Sequence, residues 1–143
     1  MRRMTAPLFK KLSPNGQAPQ QNKLGDAGYD LCASEHIIIE PGQIVKIKTG
    51  IAIELDPGTF GLILDRSSFG AIGLKVMGGV IDSNYRGEIL VCILNTSINR
   101  YNFGIGDRCA QMVILNHGCR EFVEANQLSD TDRGSQGFGA SGR

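Results

Sequence analysis

Residues 43–49 read QIVKIKT. Alternation puts Ile44, Lys46 and Lys48 on one face and Val45 and Ile47 on the other, the period-2 signature of a strand with one buried side. The neighbouring apolar runs share its β-branched content: HIIIE (36–40), IAIEL (51–55), FGLIL (60–64), ILVCIL (89–94), QMVIL (111–115) and CREFVEA (119–125). Each is read as a strand. Pro41-Gly42, Pro57-Gly58, Gly79 and Gly106-Asp107 mark turns between them. No window sustains a helical period, and SSFGAIG (67–73) is read as one short helix at most, with Ser67 as its cap. Short strands at this spacing predict an all-β sandwich or barrel.

The chain has 143 residues, 41% of them hydrophobic, with a formal net charge of +1. That fits one domain with an ordinary core, and argues against both disorder and a nucleic-acid partner. The start, MRRMTAPLFKKL, is read as a solvated basic arm, with no apolar run long enough for a signal peptide or a membrane span. Cys32, Cys92, Cys109 and Cys119 show no C-x-x-C spacing, and Cys92 and Cys109 sit in apolar runs as core residues. A reducing intracellular setting is expected, cytoplasmic and/or nuclear and not secreted. After Gln127 the chain turns polar and Gly-rich, so residues 1–127 are expected to form the core and 128–143 a flexible arm.

Chemistry is expected where polar residues interrupt the apolar pattern. In GDAGYDLCA (25–33), Asp26 and Asp30 flank a Gly and a Tyr, which in isolation reads as a turn leading into a strand. In DRSSFG (65–70), Arg66, Ser67 and Ser68 offer charge and hydroxyl donors to an anion. In GGVIDSNYRGEI (78–89), an apolar run ends on Asp82, either a turn former or a carboxylate in a partly dry pocket. Ser83-Asn84 fits a tip that sets Asp82 and Tyr85 on its two sides. Arg86 and Glu88 read as a structural ion pair. In GDRCAQM (106–112), Asp107-Arg108 reads as a turn with its own ion pair, and Gln111 as a rim hydrogen bond or a ligand contact. The chain ends RGSQGFGASGR (133–143), either a frayed terminus or a lid.

Taken together, these segments resemble, in order, the five motifs of the trimeric all-β deoxyuridine triphosphate nucleotidohydrolases (dUTPases). They span residues 26–142. The resemblance implies a jelly-roll-like barrel and a homotrimer whose active sites lie at subunit interfaces. It implies Mg²⁺-dependent hydrolysis of dUTP to dUMP and pyrophosphate by water attack on the α-phosphorus. That reaction limits uracil in DNA and supplies dUMP for thymidylate. It assigns uracil to the hairpin around Gly79 and Ile81, the deoxyribose to Tyr85, and the 3′-hydroxyl and the attacking water to Asp82. Gln111 would position that water or the α-phosphate. Arg66, Ser67 and Ser68 would hold phosphates, and Asp30 the Mg²⁺ through water. Phe138 would stack on the base, Arg133 would contact the γ-phosphate, and Gly139 and Ser141 would close over the phosphates. In this light the tail is a lid.

The sequence departs from the family pattern at Asp65, where Pro or Gly is usual, at Gln136 in place of Gly, and at Ala140 in place of Ser. For Asp65, strand alternation or a cation partner is expected to turn the acid away from the phosphates. A related dCTP deaminase branch and a non-catalytic nucleotide sensor share this scaffold. The intact hairpin, Asp82 and the Gly-Phe-Gly tail argue for the dUTPase reading.

Overall fold

The strand read from 43–49 lies at Ile44–Lys48, its residues alternating exposed and buried as the sequence pattern requires. In the computed structural model, which describes residues 5–139, it is β4 of eleven strands. The others are β1 (Leu8–Lys11), β2 (Gly28–Cys32), β3 (Ile37–Ile39), β5 (Ile51–Glu54) and β6 (Thr59–Leu64), then β7 (Leu74–Val76), β8 (Val80–Asp82), β9 (Leu90–Asn95), β10 (Tyr101–Phe103) and β11 (Arg108–Asn116). The helix α1 spans only Ser67–Gly70. The fold is all-β.

All pairings are antiparallel, in the orders β2-β11-β6-β8, β4-β9-β7, β1-β5 and β10-β3. In the three-stranded sheet Val45 faces Ile93 and Ile47 faces Val91, and all four are buried. Leu31, Ile63, Met112 and Cys109 from the four-stranded sheet join the same core, as do Ile39, Ile51 and Phe103 from the two small sheets. Burying a Val, Leu or Ile side chain contributes roughly 1.5–3 kcal/mol, so this shared cluster is the main stabilising term. One polar group enters it fully paired. The Asn95 amide donates to the Ile39 and Asn99 carbonyls at 3.1 and 2.7 Å, and its Oδ1 accepts from Ser97 N and Oγ. A buried amide with every hydrogen bond made fixes β9 against β3 without an unmet desolvation cost.

Three expectations are corrected. CREFVEA (119–125) forms no strand: residues 117–139 are all exposed, with Phe122 and Val123 among them. A strand exists only by pairing, and these residues find no edge within their own chain. The segment expected to be a wholly solvated arm supplies β1, whose Leu8 pairs opposite Glu54 and Lys11 opposite Ile51, although its side chains remain exposed. Ser67 is the first helical residue and not the cap. Arg66 holds the cap position, with no side-chain capping bond. Of the two core cysteines expected, Cys109 is buried and Cys92 half-buried. Burial, with a smaller push from nearby Cys32, raises the Cys109 thiol to about 12, so it stays protonated.

Candidate active site

Register alone assembles the first group of candidate residues. Asp30 of β2 pairs opposite Gln111 of β11, and Gln111 opposite Leu64, where β6 ends. The chain then turns at Asp65 into α1, whose cap carbonyl, that of Arg66, accepts from Phe69 and Gly70 N at 2.9 Å. Arg66, Ser67 and Ser68 therefore stand beside Asp30 and Gln111. With Asn22, Asp26 and Gly28 they line a cleft of about 300 Å³.

The charges of the cleft are mixed, with Arg66 standing among the carboxylates of Asp26 and Asp30. The Asp30 side chain, only 16% exposed, meets Arg66 Nε at 3.2 Å through Oδ1 and Arg108 Nε at 3.6 Å through Oδ2. The Arg66 pair with Asp30 is made through Nε, and both hydroxyls of Ser67 and Ser68 are on exposed residues. Such a set suits an anion with several oxygens. Arg66 also lies 5.7 Å over the Phe69 ring, which fixes its stem. The expected ion pair within Asp107-Arg108 is absent, because Arg108 turns to Asp30 while Asp107 Oδ2 accepts from Gly104 N at 2.7 Å. Burial, then the charge of Asp30, raises the Cys32 thiol.

Gln111 is held at both ends of its amide. Its Nε2 donates to the Asp65 carbonyl at 2.8 Å, and its Oε1 lies so close to Gly28 that a Cβ there would sit 2.2 Å from it. Gly28 gave no functional signal in the sequence beyond membership of the DAGYD motif. Asn22 gave none, being one polar residue in a polar stretch. Because the clash is with the end of a side chain and not with backbone, Gly28→Ala displaces the amide and leaves the strand pairing intact. Turnover is expected to fall on the order of tenfold or more, with melting lowered by only a few degrees. A large loss of stability with normal turnover per folded molecule would contradict this account.

The second group lies elsewhere. Asp82 ends β8 and is exposed in the single chain. It borders a hollow of about 620 Å³ with Thr59, Phe60, Val80, Ser83, His117 and Cys119. No sequence signal joined His117 and Cys119 to Asp82, since nothing in the linear order ties them together. Tyr85 N donates to the Asp82 carbonyl at 3.1 Å, closing the turn expected at Ser83-Asn84. The Tyr85 hydroxyl donates to the Glu88 carbonyl at 2.9 Å. Gly79 holds the entry to this turn: its carbonyl accepts from Ile63 N, its φ is +111°, and a Cβ would meet the Ile63 oxygen at 2.8 Å. Only glycine fits there. Ile81 pairs opposite Gly61. The expected Arg86–Glu88 pair is replaced by Arg86–Glu54 at 3.7 Å, with Arg86 also donating to the Ser83 and Tyr85 carbonyls.

The third group, in the tail, touches neither of the others among the described residues. Phe138 is fully exposed, and Arg133 Nε donates within its own turn to the Gln136 carbonyl at 3.1 Å. Gly139 has φ +84°. Ser141 and Ala140 lie outside the described residues. Asp65 meets the expectation of a cation partner, with Lys75 Nζ 3.1 Å from its Oδ2.

The separation of the first two groups follows from the ladder. Asp82 pairs opposite Phe60 and Gln111 opposite Leu64, on the two flanks of β6. Four residues of strand and two strand spacings put them about 13 Å apart along β6 and about 10 Å across it. Even spacing puts both on the same outer face. Between them that face carries Leu62, Leu64, Val113, Leu115 and Val80, of which Leu64, Leu115 and Val80 are 38%, 40% and 62% exposed.

The fold and site define an all-β protein with a polar cleft lined by Arg66, Ser67 and Ser68 and a separate carboxylate-bearing hairpin. The dUTPase family model matches residues 15–142. The deoxyuridine 5′-triphosphate nucleotidohydrolase of Rhodococcus erythropolis is 42% identical over 138 residues, covering 94% of this chain and 84% of the relative. That of Desulfitobacterium hafniense is 48% identical over 130 residues, covering 87% and 86%. The dUTPase of Staphylococcus bacteriophage 80alpha superposes with a TM-score of 0.91 at 28% identity, covering 96% of this chain and 99% of that one. The chain belongs to the dUTPase family. Among the described residues no helix is long and apolar enough to cross a membrane.

Proposed function

We propose that the protein is a dUTP diphosphatase that converts dUTP to dUMP and pyrophosphate in active sites built between copies of a homotrimer. The observation that carries this reading is the pair of half-sites on one sheet face. Arg66, Ser67, Ser68 and Gln111 suit a polyphosphate, and Asp82 suits a base acting on water, yet they stand too far apart in one chain to meet at one phosphorus. An apolar, exposed strip separates them. Covering that strip with another copy removes it from water and can bring that copy's hairpin to this cleft. The bacteriophage 80alpha relative was solved with dUpNHpp, which supports a triphosphate ligand for the cleft.

In the reaction, Asp82 accepts a hydrogen bond from the 3′-hydroxyl, orients the attacking water and takes its proton. The water oxygen bonds to the α-phosphorus as the α,β-bridging oxygen leaves with pyrophosphate. Gln111 fixes the α-phosphate for that displacement, and Arg66, Ser67 and Ser68 neutralise the oxygens that gain charge. Backbone groups at Gly79 and Ile81 read the uracil edge, and Tyr85 crowds the 2′ position, rejecting ribose. Phe138 stacks on the base, Arg133 pairs with the γ-phosphate, and Gly139 and Ser141 close the arm over the chain of phosphates.

The residues of the cleft fit a Mg²⁺ cofactor. Asp30 and Asp26 supply hard carboxylate oxygens beside the phosphate site, and such a cation is held by one or two carboxylates plus substrate oxygens. Among the described residues no cluster of three or more His, Cys, Asp or Glu could hold a metal alone. Asp30 would hold the ion through water, against the phosphates. When bound, Mg²⁺ would stabilise charge on the leaving pyrophosphate.

The test is incubation with Mg²⁺ and dUTP, UTP, dTTP or dCTP in parallel, with every product identified. Selective formation of dUMP and pyrophosphate from dUTP is the expected result. Ammonia from dCTP would move the protein to the deaminase branch, and binding of dUTP without turnover would make it a sensor. Sedimentation of the intact protein at the mass of a monomer would overturn the shared site.

A further inference from the structure

We propose that Asp65 is a positioning residue that fixes the Gln111 amide for phosphate binding, an inference that rests on the diphosphatase reading for its kinetic consequence but not for its geometry. The acid replaces the Pro or Gly that usually precedes the Arg of this motif, where a carboxylate facing phosphates would repel them. It does not face them. Oδ1 accepts from Val76 N, and Oδ2 pairs with Lys75 Nζ at 3.1 Å. Both partners belong to β7, so the side chain ties the turn after β6 to a strand of the other sheet.

That tie leaves the Asp65 carbonyl on the cleft side, where it accepts from Gln111 Nε2 at 2.8 Å. An amide has two ends and two N–H protons. Here the oxygen end packs on Gly28 and one proton goes to Asp65. The second Nε2 proton has no partner among the described residues, and it is the donor left for an α-phosphate oxygen. Without the side-chain tie the main-chain carbonyl can swing off line, and the amide can then rotate about its last torsion, which is soft and broadly populated. With it, the donor is aimed before substrate arrives, and less ordering remains to be done on binding.

A Pro or Gly holds such a turn through its own backbone restriction or freedom. Asp65 holds it through two side-chain bonds to a neighbouring strand, so its contribution can be removed without changing the main chain's permitted conformations. The nearby Gly70 does not interfere: a Cβ there would lie 3.6 Å from the Asp65 carboxylate, in ordinary contact.

The test uses the full-length protein, with Asp65→Ala, Asp65→Asn, Gln111→Ala and the Asp65→Ala/Gln111→Ala double variant. Asp65→Ala is expected to lower kcat on the order of tenfold with KM changed less, the rate equivalent of one misdirected hydrogen bond. Asp65→Asn, which still accepts from Val76 N, recovers most of that loss. In the Gln111→Ala background the Asp65→Ala change has no further effect, because the two act as a unit. Equal losses in both backgrounds would overturn the proposal. An activity-independent readout is the Gln111 side-chain NH₂ pair in a ¹⁵N–¹H spectrum. In the parent protein one proton is protected from solvent exchange; in Asp65→Ala it is not. Unchanged protection would sink the positioning role even if dUTP turnover behaved as expected. Loss of protection in a protein with no dUTP turnover would instead sink only the diphosphatase reading.

Discussion

Asp82→Asn lowers dUTP turnover about 10³-fold while leaving the fold and nucleotide affinity nearly unchanged, because the exposed amide is isosteric and only the proton acceptor is lost. Mixing then locates the defect. Gln111→Ala is also expected to be poorly active, since it removes the amide that Asp65 aims. If Asp82 and Gln111 of one site come from different copies, co-expressing the two variants rebuilds sites in which one copy supplies each intact residue. Random assembly restores about a quarter of the sites. If both residues served from one copy, every site would carry one lesion and mixing would restore nothing. The separation along β6, about 13 Å by about 10 Å on one sheet face, requires the first outcome.

The same register explains what could be read from the sequence. The β4 strand was legible because Val45 and Ile47 are buried and Ile44, Lys46 and Lys48 are not, so hydropathy and geometry share one period. The strands β7, β8 and β10 were not picked out, because each has three residues, too few for alternation to repeat, and none is a pure β-branched run like the Ile37–Ile39 of β3. CREFVEA misled for the opposite reason: its pattern is that of a strand, but a strand also needs an edge, and Phe122 and Val123 find none in their own chain. Pattern reports what a segment can do, and pairing decides what it does.

For the site, the types and order of Asp30, Arg66, Ser67, Ser68 and Gln111 were legible, and the cleft brings them together. Their partners were not. Arg108 was assigned to its neighbour Asp107 and Arg86 to nearby Glu88, yet they pair with Asp30 and Glu54. Sequence proximity favours local pairs, whereas the fold brings distant segments together, as where β11 lies beside β2 and Arg108 reaches Asp30. The role of Gly28 was hidden likewise, since its need for a bare Cα arises only from Gln111 on the adjacent strand.

Deleting residues 133–143 should cut kcat/KM by about 10²- to 10³-fold, the scale expected when closure over bound substrate is lost. The melting temperature should move by no more than about 2 °C, because residues 133–139 are all exposed. The structure supports that asymmetry. Residues 133–139 are exposed throughout, Phe138 fully so, and among the described residues the Arg133 guanidinium is engaged within its own turn. A large aromatic ring left in water is unfavourable by itself, and a nucleobase is a flat partner of matching size. Phe138→Ala alone is therefore expected to raise KM for dUTP more than it lowers kcat, since stacking holds substrate and transition state alike. Arg133→Ala should instead act mainly on the triphosphate, with the loss falling as salt rises and screens the contact. Should the shortened protein sediment as a monomer, the tail would be a structural clasp between copies and not a lid. Should it turn over dUTP at the parent rate, Phe138 and Arg133 would have no part in the site. The two failures are separable, because one is read from mass and the other from rate.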